Sequence, residues 1–343
     1  MQDDLFGQSP PPPHAASASA TRPRARGVQA AELAPALHTL AAHMPPLLRM
    51  GVSTWSYPGW EGLVWQGSYS ESVLSQKGLT ALSQHPLMRT VCIDRTFWRP
   101  LSTEQYARYA AQVPEDFRFM VKCPNAVTDA LIRAEDGKGQ QRNPVFLNPQ
   151  LAVDQFVQPC LQGLGAKLGV LVLQISPLPW DKFTALHVFF AQLDVLLTAM
   201  RQALPADSRA LIAVEVRDAE LQKHPYFVPT LQRHGATMCL GLHGKMPAID
   251  EQLPVLRKLW PTPLVCRWNL NHSFGPYGYP AAQEKHRPFD VIRTPDAATR
   301  ARLARTIHGI TRAGQAAFVT ISNDAEGCAP RSIALLAETL RGL

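Results

Sequence analysis

Four charged side chains interrupt short apolar runs that are otherwise typical of buried strands. They are Lys122 in FRFMVKC, Glu215 and Arg217 in ALIAVEVR, and Arg267 in PLVCRWN. A charge inside such a run is costly to bury alone, so these groups form either a structural ion-pair network or a binding site. A carboxylate and several cations at one site can stabilise a phosphoryl or enolate anion. We therefore take Glu215 and Lys122 as candidate catalytic residues, with Glu215 as general base and the three cations as clamps for an anion.

The strands that must position these groups recur along the chain from Arg49 onward, alternating with helical patterns such as TEQYARYAAQV. The predicted strands cover residues 49–55, 88–94, 117–123, 168–175, 210–216, 236–242, 263–269 and 316–322. Eight such units in about 290 residues predict an α/β fold, a (β/α)8 TIM-like barrel with a parallel eight-stranded sheet. The alternative is an open doubly wound sheet, which usually carries a glycine-rich phosphate turn. Here the first strand runs instead into GVSTWSYPGW.

In a barrel of this kind the chemistry lies where the strands end, because the βα loops converge on one mouth. Every predicted strand delivers a polar side chain at its carboxyl end, and Asp94, His243 and Asp324 are among them. The candidate substrate-binding residues are Ser53, Trp55, Tyr57, Thr96, Gln174, Arg217, Arg267 and Asn323. The histidines form no ligand-spaced pair, so we assign no metal site, and the sequence leaves the cofactor unknown.

The loop after the first strand, TWSYPGWEGLVW, is unusually aromatic, with three tryptophans and one tyrosine in twelve residues. Such rings beside a barrel mouth can stack on a sugar or a base. They can also cap the barrel as a hydrophobic plug, and the pattern favours the plug.

The bulk composition is that of a soluble, cytoplasmic protein. The chain has 343 residues, is 46% hydrophobic, and contains no run of the ~18 apolar residues that a membrane helix needs, so we expect no membrane partner. Its first residues, MQDDLFGQSPPPPH, lack the basic start and apolar core of a secretory signal. The six cysteines form no C-x-x-C pair, which favours reduced thiols.

Charge and composition divide the chain into a tail and a folded part. Residues 1–48 are predicted to be a disordered Pro/Ala-rich tail, with a short helical pattern over 28–44 that Pro35 weakens, and residues 49–343 form the barrel domain. The tail's three basic and three acidic residues cancel, so the formal net charge of +7 lies on the barrel. A positive surface favours anionic partners, either a small anionic or sugar-like ligand or nucleic acid.

Several segments together resemble the YecE-like family, known as domain of unknown function 72, over nearly all of residues 49–343. The matching segments are GVSTWSYPGW (51–60), TVCIDRTFWR (90–99), FRFMVKCPNAVT (117–128), GVLVLQISP (169–177), AVEVR (213–217), VCRWN (265–269) and NDAEGCAP (323–330). The resemblance implies a TIM-like barrel of uncharacterised activity. It also implies that the family's polar set falls on Ser53, Trp55, Thr96, Lys122, Gln174, Glu215, Arg217, Arg267 and Asn323.

The chain departs from the family pattern at several polar positions, as a divergent member would. The family tends to have a glutamate at Cys92, an asparagine at Asp94, a histidine at Asp129, a His-Gly pair at Asn269 and Leu270, and an asparagine at Ser322.

Two functions remain open at this point. The first is a protein that binds a small anionic or sugar/phosphate-bearing ligand at the barrel mouth, as an enzyme of hydrolase or isomerase type or as a former enzyme. The alternative is a non-catalytic nucleic-acid-binding barrel that uses the basic surface for the backbone and the aromatic loop for stacking.

Overall fold

The structure is a computed structural model that describes residues 27–133, 139–179, 181 and 185–343. Its strands are β1 (Leu48–Val52), β2 (Thr90–Ile93), β3 (Arg118–Lys122), β4 (Leu131–Arg133), β5 (Gly139–Arg142), β6 (Leu168–Ile175), β7 (Leu211–Val216), β8 (Thr237–Leu242), β9 (Leu264–Trp268) and β10 (Ala317–Ile321). Eight of them form a closed parallel barrel in the order β1-β10-β9-β8-β7-β6-β3-β2. The predicted (β/α)8 barrel is confirmed, and each of the eight predicted strands is present.

Helices pack around the barrel and connect its strands. The described α-helices are Pro35–Ala42, Glu71–Lys77, Leu79–Leu82, Thr103–Ala110, Asn125–Thr128, Pro149–Ala152, Gln158–Leu164, Leu186–Ala203, Ala219–Lys223, Phe227–Arg233, Ile249–Lys258, Tyr279–His286, Ala297–Arg312, Asn323–Glu326 and Ala329–Arg341. Single 3-10 turns cover Pro58–Trp60, Arg95–Phe97, Gly165–Lys167 and His272–Phe274, and a π-helical turn covers Val153–Val157. No helix in the part of the chain that the structure describes is long and apolar enough to cross a membrane.

The interior of the barrel changes from apolar to charged along its axis. Its apolar part is a cluster of inward-facing side chains: Cys92, Met120, Val170, Val172, Ala213, Cys239, Val265 and Phe318. Two residues further along their strands, Lys122, Glu215 and Arg267 lie buried toward the carboxyl ends. Side chains two residues apart on a strand share a face, so the alternation that builds the core also directs these charges inward.

The segment before β1 lies against the barrel, although the sequence pattern grouped residues 1–48 as one tail. Ala31 N–H donates to the carbonyl of Val64 at 3.0 Å, and Leu40, in the helix Pro35–Ala42, is buried. Pro35 does not break this helix, because it occupies the first turn, where its missing N–H would have no intrahelical partner. The predicted disorder of residues 1–26 concerns residues outside the described part of the chain.

A two-stranded antiparallel hairpin, β4 with β5, lies in the connection from β3 to β6 and was not predicted. Its second strand, GQQR, is exposed and polar, so it shows none of the apolar alternation by which strands are recognised.

Candidate functional site

A buried ion-pair network centred on Arg267 closes the barrel interior beneath the carboxyl ends of the strands. Arg267 Nη1 donates to Glu215 Oε2 at 2.7 Å and to Gln174 Oε1 at 3.3 Å. Its Nη2 donates to both oxygens of Asp94 at 2.9 Å. Both terminal nitrogens of the guanidinium are therefore engaged, each with a different carboxylate.

A glycine makes room for this network. Gly241 of β8 pairs in register with Arg267 of β9, so any side chain at this position would also point into the barrel. A Cβ there would lie 3.3 Å from the Cδ of Glu215 and 2.9 Å from the Cε of Met246. Glycine at this position lets the Glu215 carboxylate reach the guanidinium.

The three ionic groups of the network stay charged, although Glu215 and Arg267 are buried and Asp94 is only 32% exposed. Burial alone would raise the pKa of Glu215, but Arg267, Arg217 and Lys122 outweigh it and bring this pKa below its usual range. Asp94 behaves in the same way, with burial outweighed by Arg267 and Lys122. Burial acts to lower the pKa of Arg267, but the two carboxylates raise it well above its ordinary value.

Glu215 is 1% exposed and bonded to Arg267, in keeping with the cost of burying a charge alone. We also expected Lys122, Arg217 and Arg267 to line one pocket together with Glu215. The structure corrects this arrangement: Lys122 and Arg217 line a cleft at the mouth, whereas Arg267 and Glu215 lie beneath it, bonded to each other. The reason is that both Nη atoms of Arg267 bind carboxylates and are not available to an anion in the cleft.

The cleft above the network has a volume of about 960 Å³. It is lined by cations, by two carboxylates that each form an ion pair with an arginine (Asp94 and Asp129), and by aromatic rings, together with smaller polar and apolar groups. Its cations are Lys122, Arg133, Arg217 and Lys245, and its rings are Phe97, Trp98, Tyr277 and Tyr279. Gln174, a predicted site residue, also borders it. This is the size and polarity of a site for a small molecule.

Lys122 is the most unusual of these cations. It is 9% exposed, and its Nζ lies 3.6 Å from the centre of the Phe97 ring. Among the described residues this Nζ has no hydrogen-bonding or carboxylate partner. Burial, Arg267 and Arg217 lower the pKa of Lys122 to about 7, although Asp94 and Glu215 act against them. The amine is therefore neutral in a large fraction of molecules near neutral pH.

The other predicted site residues support the strand ends from outside the cleft. The Thr96 hydroxyl donates to the carbonyl of Lys122 at 2.6 Å, which fixes the end of β3. Ser53 Oγ donates weakly to Asn269 at 3.5 Å. Asn323 Oδ1 accepts hydrogen bonds from Trp60 Nε1 at 3.2 Å and from the backbone of the last helix. A ligand-binding role for these three residues stays a prediction.

The aromatic loop after β1 forms the predicted plug. Trp60 and Trp65 are fully buried and stack with ring centres 5.5 Å apart. Trp55 is 4% exposed and packs edge-on against Tyr109 at 5.2 Å, and Tyr57 packs against Trp60. Neither Trp55 nor Tyr57 is among the residues that line the 960 Å³ cleft. The rings stabilise the mouth, and stacking on a ligand would require the loop to open.

Sequence reasoning missed the aromatic and basic residues that the βα loops bring to the cleft. Trp98 follows a 3-10 turn after β2, Lys245 follows β8, and Tyr277 and Tyr279 follow β9. Trp98 and Tyr277 are 73% and 81% exposed, and Lys245 Nζ lies 4.0 Å from the centre of the Tyr277 ring. The available signal was the aromatic residues in the loop segments FWR (97–99) and PYGYP (276–280), which follow predicted strands.

Asp324, after β10, is a second buried acid, and it supports a prediction about stability. Its side chain is buried, its Oδ1 has no partner among the described residues, and burial raises its pKa from 3.8 to about 6. A raised acid pKa contributes stability below the unfolded value of 3.8 that is lost as pH rises through about 6. We expect Asp324→Asn to raise the free energy of unfolding at pH 8 by about 1–3 kcal/mol and to have little effect near pH 4.

Urea denaturation at the two pH values measures this difference, and Asp207→Asn, at an exposed carboxylate, is the matched control. An equal effect of Asp324→Asn at both pH values would show that ionisation of Asp324 does not destabilise the folded protein.

A closed parallel barrel whose carboxyl-end mouth carries a charged cleft defines the class of this protein, a TIM-like barrel. The model of the family described as protein of unknown function DUF72 matches residues 49–342, and the chain belongs to this family. A search of curated proteins found no match.

Solved structures agree on the fold. A DUF72 family protein from Enterococcus faecalis is 14% identical with a TM-score of 0.56, over 86% of this chain and 96% of that chain. A DUF72 family protein from Thermotoga maritima is 18% identical with a TM-score of 0.53, over 85% of this chain and 98% of that chain. At these identities the likeness concerns the barrel fold alone.

Proposed function

We propose that the cleft at the barrel mouth binds a small anionic ligand, such as inorganic phosphate or a sugar phosphate. The observation that carries this proposal is the unbalanced charge of the lining, which has four basic and two acidic side chains. Both acids are already paired, Asp94 with Arg267 and Asp129 with Arg133. After these pairings Lys245 and, in its protonated form, Lys122 have no acid partner among the described residues, and Arg217 keeps its Nη donors beyond its 4.0 Å contact with Glu215.

Three cations keep free donors that face this space. No hydrogen bond within the described part of the chain uses Lys122 Nζ, Lys245 Nζ or the Nη atoms of Arg217, whose Nε lies 4.0 Å from Glu215. Arg217 follows Glu215 by two residues and is held toward the network by that carboxylate. Guanidinium and ammonium donors around one cleft fit the oxygens of a phosphate group.

If the ligand is turned over, Lys122 is the group best suited to move a proton. A lysine with a pKa of about 7 can accept a proton at neutral pH and return it. Glu215, proposed from the sequence as the general base, is ionised but lies beneath the cleft, where it holds Arg267 and Arg217. The geometry thus favours Lys122 over Glu215 as the group that exchanges a proton with the ligand, in a reaction of isomerase or hydrolase type.

We expect Arg217→Ala to weaken phosphate binding by about 1.5–3 kcal/mol, the usual range for hydrogen bonds to a charged group. Calorimetric titration of inorganic phosphate and a sugar phosphate into wild type and variant at low salt measures the change. Arg305→Ala, at an exposed position on the helix Ala297–Arg312, is the matched control and should bind as wild type does. Equal affinity of all three proteins, or no binding at all, would contradict the proposal.

A nucleic-acid-binding barrel stays the alternative, and one observation favours it. Trp98 and Tyr277 are highly exposed at the rim of a basic cleft, an arrangement that suits stacking on unpaired bases. The sequence suggested that the aromatic loop after β1 would stack on bases, but the tryptophans of this loop are buried. Titration with a single-stranded oligonucleotide separates the two functions. Affinity that falls steeply with salt and is weakened by Trp98→Ala, with no binding of inorganic phosphate, would favour nucleic acid.

A further inference from the structure

We propose that Lys122 is a nucleophilic amine that forms an imine with an aldehyde or ketone carrying an anionic group. The inference rests on the proposed function, since the anionic group is what the other cations of the cleft would hold. It adds the substrate class, a carbonyl compound, and a covalent role for Lys122.

The first support is the position of the amine. Lys122 ends β3, a strand in the barrel wall, and its carbonyl is fixed by the Thr96 hydroxyl at 2.6 Å. Its side chain is 9% exposed yet borders the 960 Å³ cleft, and Nζ rests 3.6 Å above the Phe97 ring. The rigid strand and the ring thus place the nitrogen at the floor of a space large enough for a small substrate.

The second support is the lack of a counter-ion. Both carboxylates near the amine are committed to guanidinium groups, Asp94 at 2.9 Å and Glu215 at 2.7 Å from Arg267. Neither forms an ion pair with Lys122 that would hold it as ammonium. A lysine that is desolvated and placed beside other cations has a larger share of neutral amine than an exposed lysine, and the neutral amine is the state that attacks carbonyl carbon.

The reaction balances without any further reagent. The nitrogen lone pair of Lys122 forms a bond to the carbonyl carbon, and the carbonyl oxygen takes a proton to give a carbinolamine. Loss of this hydroxyl with a second proton, as water, forms the C=N double bond. The nitrogen gives up its two hydrogens in the process, and no electron is gained or lost by the pair of reactants.

The anionic group of such a compound can be bound by cationic side chains of the cleft wall. Arg217 and Lys245 both line the space that Lys122 borders, and their terminal donors are free within the described residues. An imine nitrogen that is protonated at neutral pH would in turn withdraw electrons from the adjacent carbon. The consequence is easier removal of a proton from the carbon next to the imine carbon, by a base other than Lys122, because the nitrogen lone pair of Lys122 is then committed to the imine.

Borohydride trapping tests the inference. Wild-type protein is incubated with glyceraldehyde 3-phosphate and sodium borohydride, and the adduct is measured by intact mass and located by peptide mapping. We expect one dominant adduct, on Lys122, and a loss of roughly tenfold or more in Lys122→Arg, because a guanidinium does not form the imine. Lys258→Arg, at an exposed position, is the matched control and should leave the adduct unchanged.

The pH dependence gives a second readout that a surface reaction would not reproduce. The adduct on Lys122 should increase as pH rises through about 7 and then level off. Exposed lysines would continue to gain reactivity toward roughly pH 10. An adduct spread over surface lysines such as Lys77, Lys223 and Lys258, or one that Lys122→Arg leaves in place, would overturn the inference.

Parallel titration with inorganic phosphate separates this inference from the proposed function. Phosphate binding without a Lys122 adduct would refute the imine and leave anion binding intact. A Lys122 adduct with glyceraldehyde 3-phosphate and equally with uncharged propanal, without phosphate binding, would support the nucleophile and refute the anion site.

Discussion

Replacing Arg267 with methionine is expected to lower the free energy of unfolding by about 3–5 kcal/mol. The substitution removes the shared cation from Asp94 and Glu215, and Glu215 is 1% exposed. The buried carboxylate of Glu215 would then lie near that of Asp94, which is 32% exposed, without their shared cation, and protonation of Glu215 would be favoured. Guanidinium chloride denaturation at neutral pH measures the loss.

Two further variants test whether the loss of stability comes from uncompensated buried charge. Arg302→Met breaks an ion pair with Asp250 in which both side chains are about half exposed, and we expect less than about 1 kcal/mol. Combining Arg267→Met with Asp94→Asn and Glu215→Gln should recover part of the stability, because the uncompensated charge is gone. A loss for Arg267→Met no larger than that for Arg302→Met would mean that water reaches the network in solution.

Gly51→Ala is expected to destabilise the barrel by about 3 kcal/mol or more. Gly51 pairs with Thr320 on one side and Thr90 on the other, so it lies in the middle of a strand with no free edge. A Cβ at this position would overlap the carbonyl oxygen of Thr90, which is backbone and cannot rotate away. The strands β1 and β2 would have to separate, and thermal or chemical unfolding would report the cost.

Gly309→Ala is the matched control for this substitution. Gly309 lies in the helix Ala297–Arg312, and no atom lies within 4 Å of where its Cβ would be. The same methyl group should therefore stabilise the protein there by about 0.4–1 kcal/mol. If Gly51→Ala were equally harmless, β1 and β2 would lie further apart in solution than in the structure.

The barrel could be predicted because its signal is local. Each buried strand is a continuous apolar run, as in LGVLVLQI, and each run is short and followed by a helical pattern. The inward direction of Lys122, Glu215 and Arg267 also follows from their spacing relative to the apolar residues of their own strands.

The pairing of those charges could not be predicted, because it depends on contacts across the barrel. Arg267 of β9 meets Asp94, which follows β2 on the far side of the ring, at 2.9 Å. Sequence spacing within one strand carries no information on that distance, so Arg267 and Arg217 were indistinguishable as ligand clamps. The same limit applies to Trp98 and Tyr277, whose positions are set by loops rather than by a period.

The Arg267 network also constrains how the sequence can drift. In the family pattern that the chain resembles, a glutamate stands at position 92 and an asparagine at position 94, whereas this chain has Cys92 and Asp94. Asp94 follows Cys92 by two residues, directly after β2, and the Cys92 thiol donates to Asp94 at 2.9 Å. Asp94 is the second carboxylate on Arg267, beside Glu215, and in the family pattern the acid at position 92 offers the same kind of group. An intermediate with neither acid would leave a buried cation short of one partner, and one with both would carry a surplus negative charge. Substitutions at positions 92 and 94 should therefore be tolerated only together, because the residue at one position decides which residues are acceptable at the other.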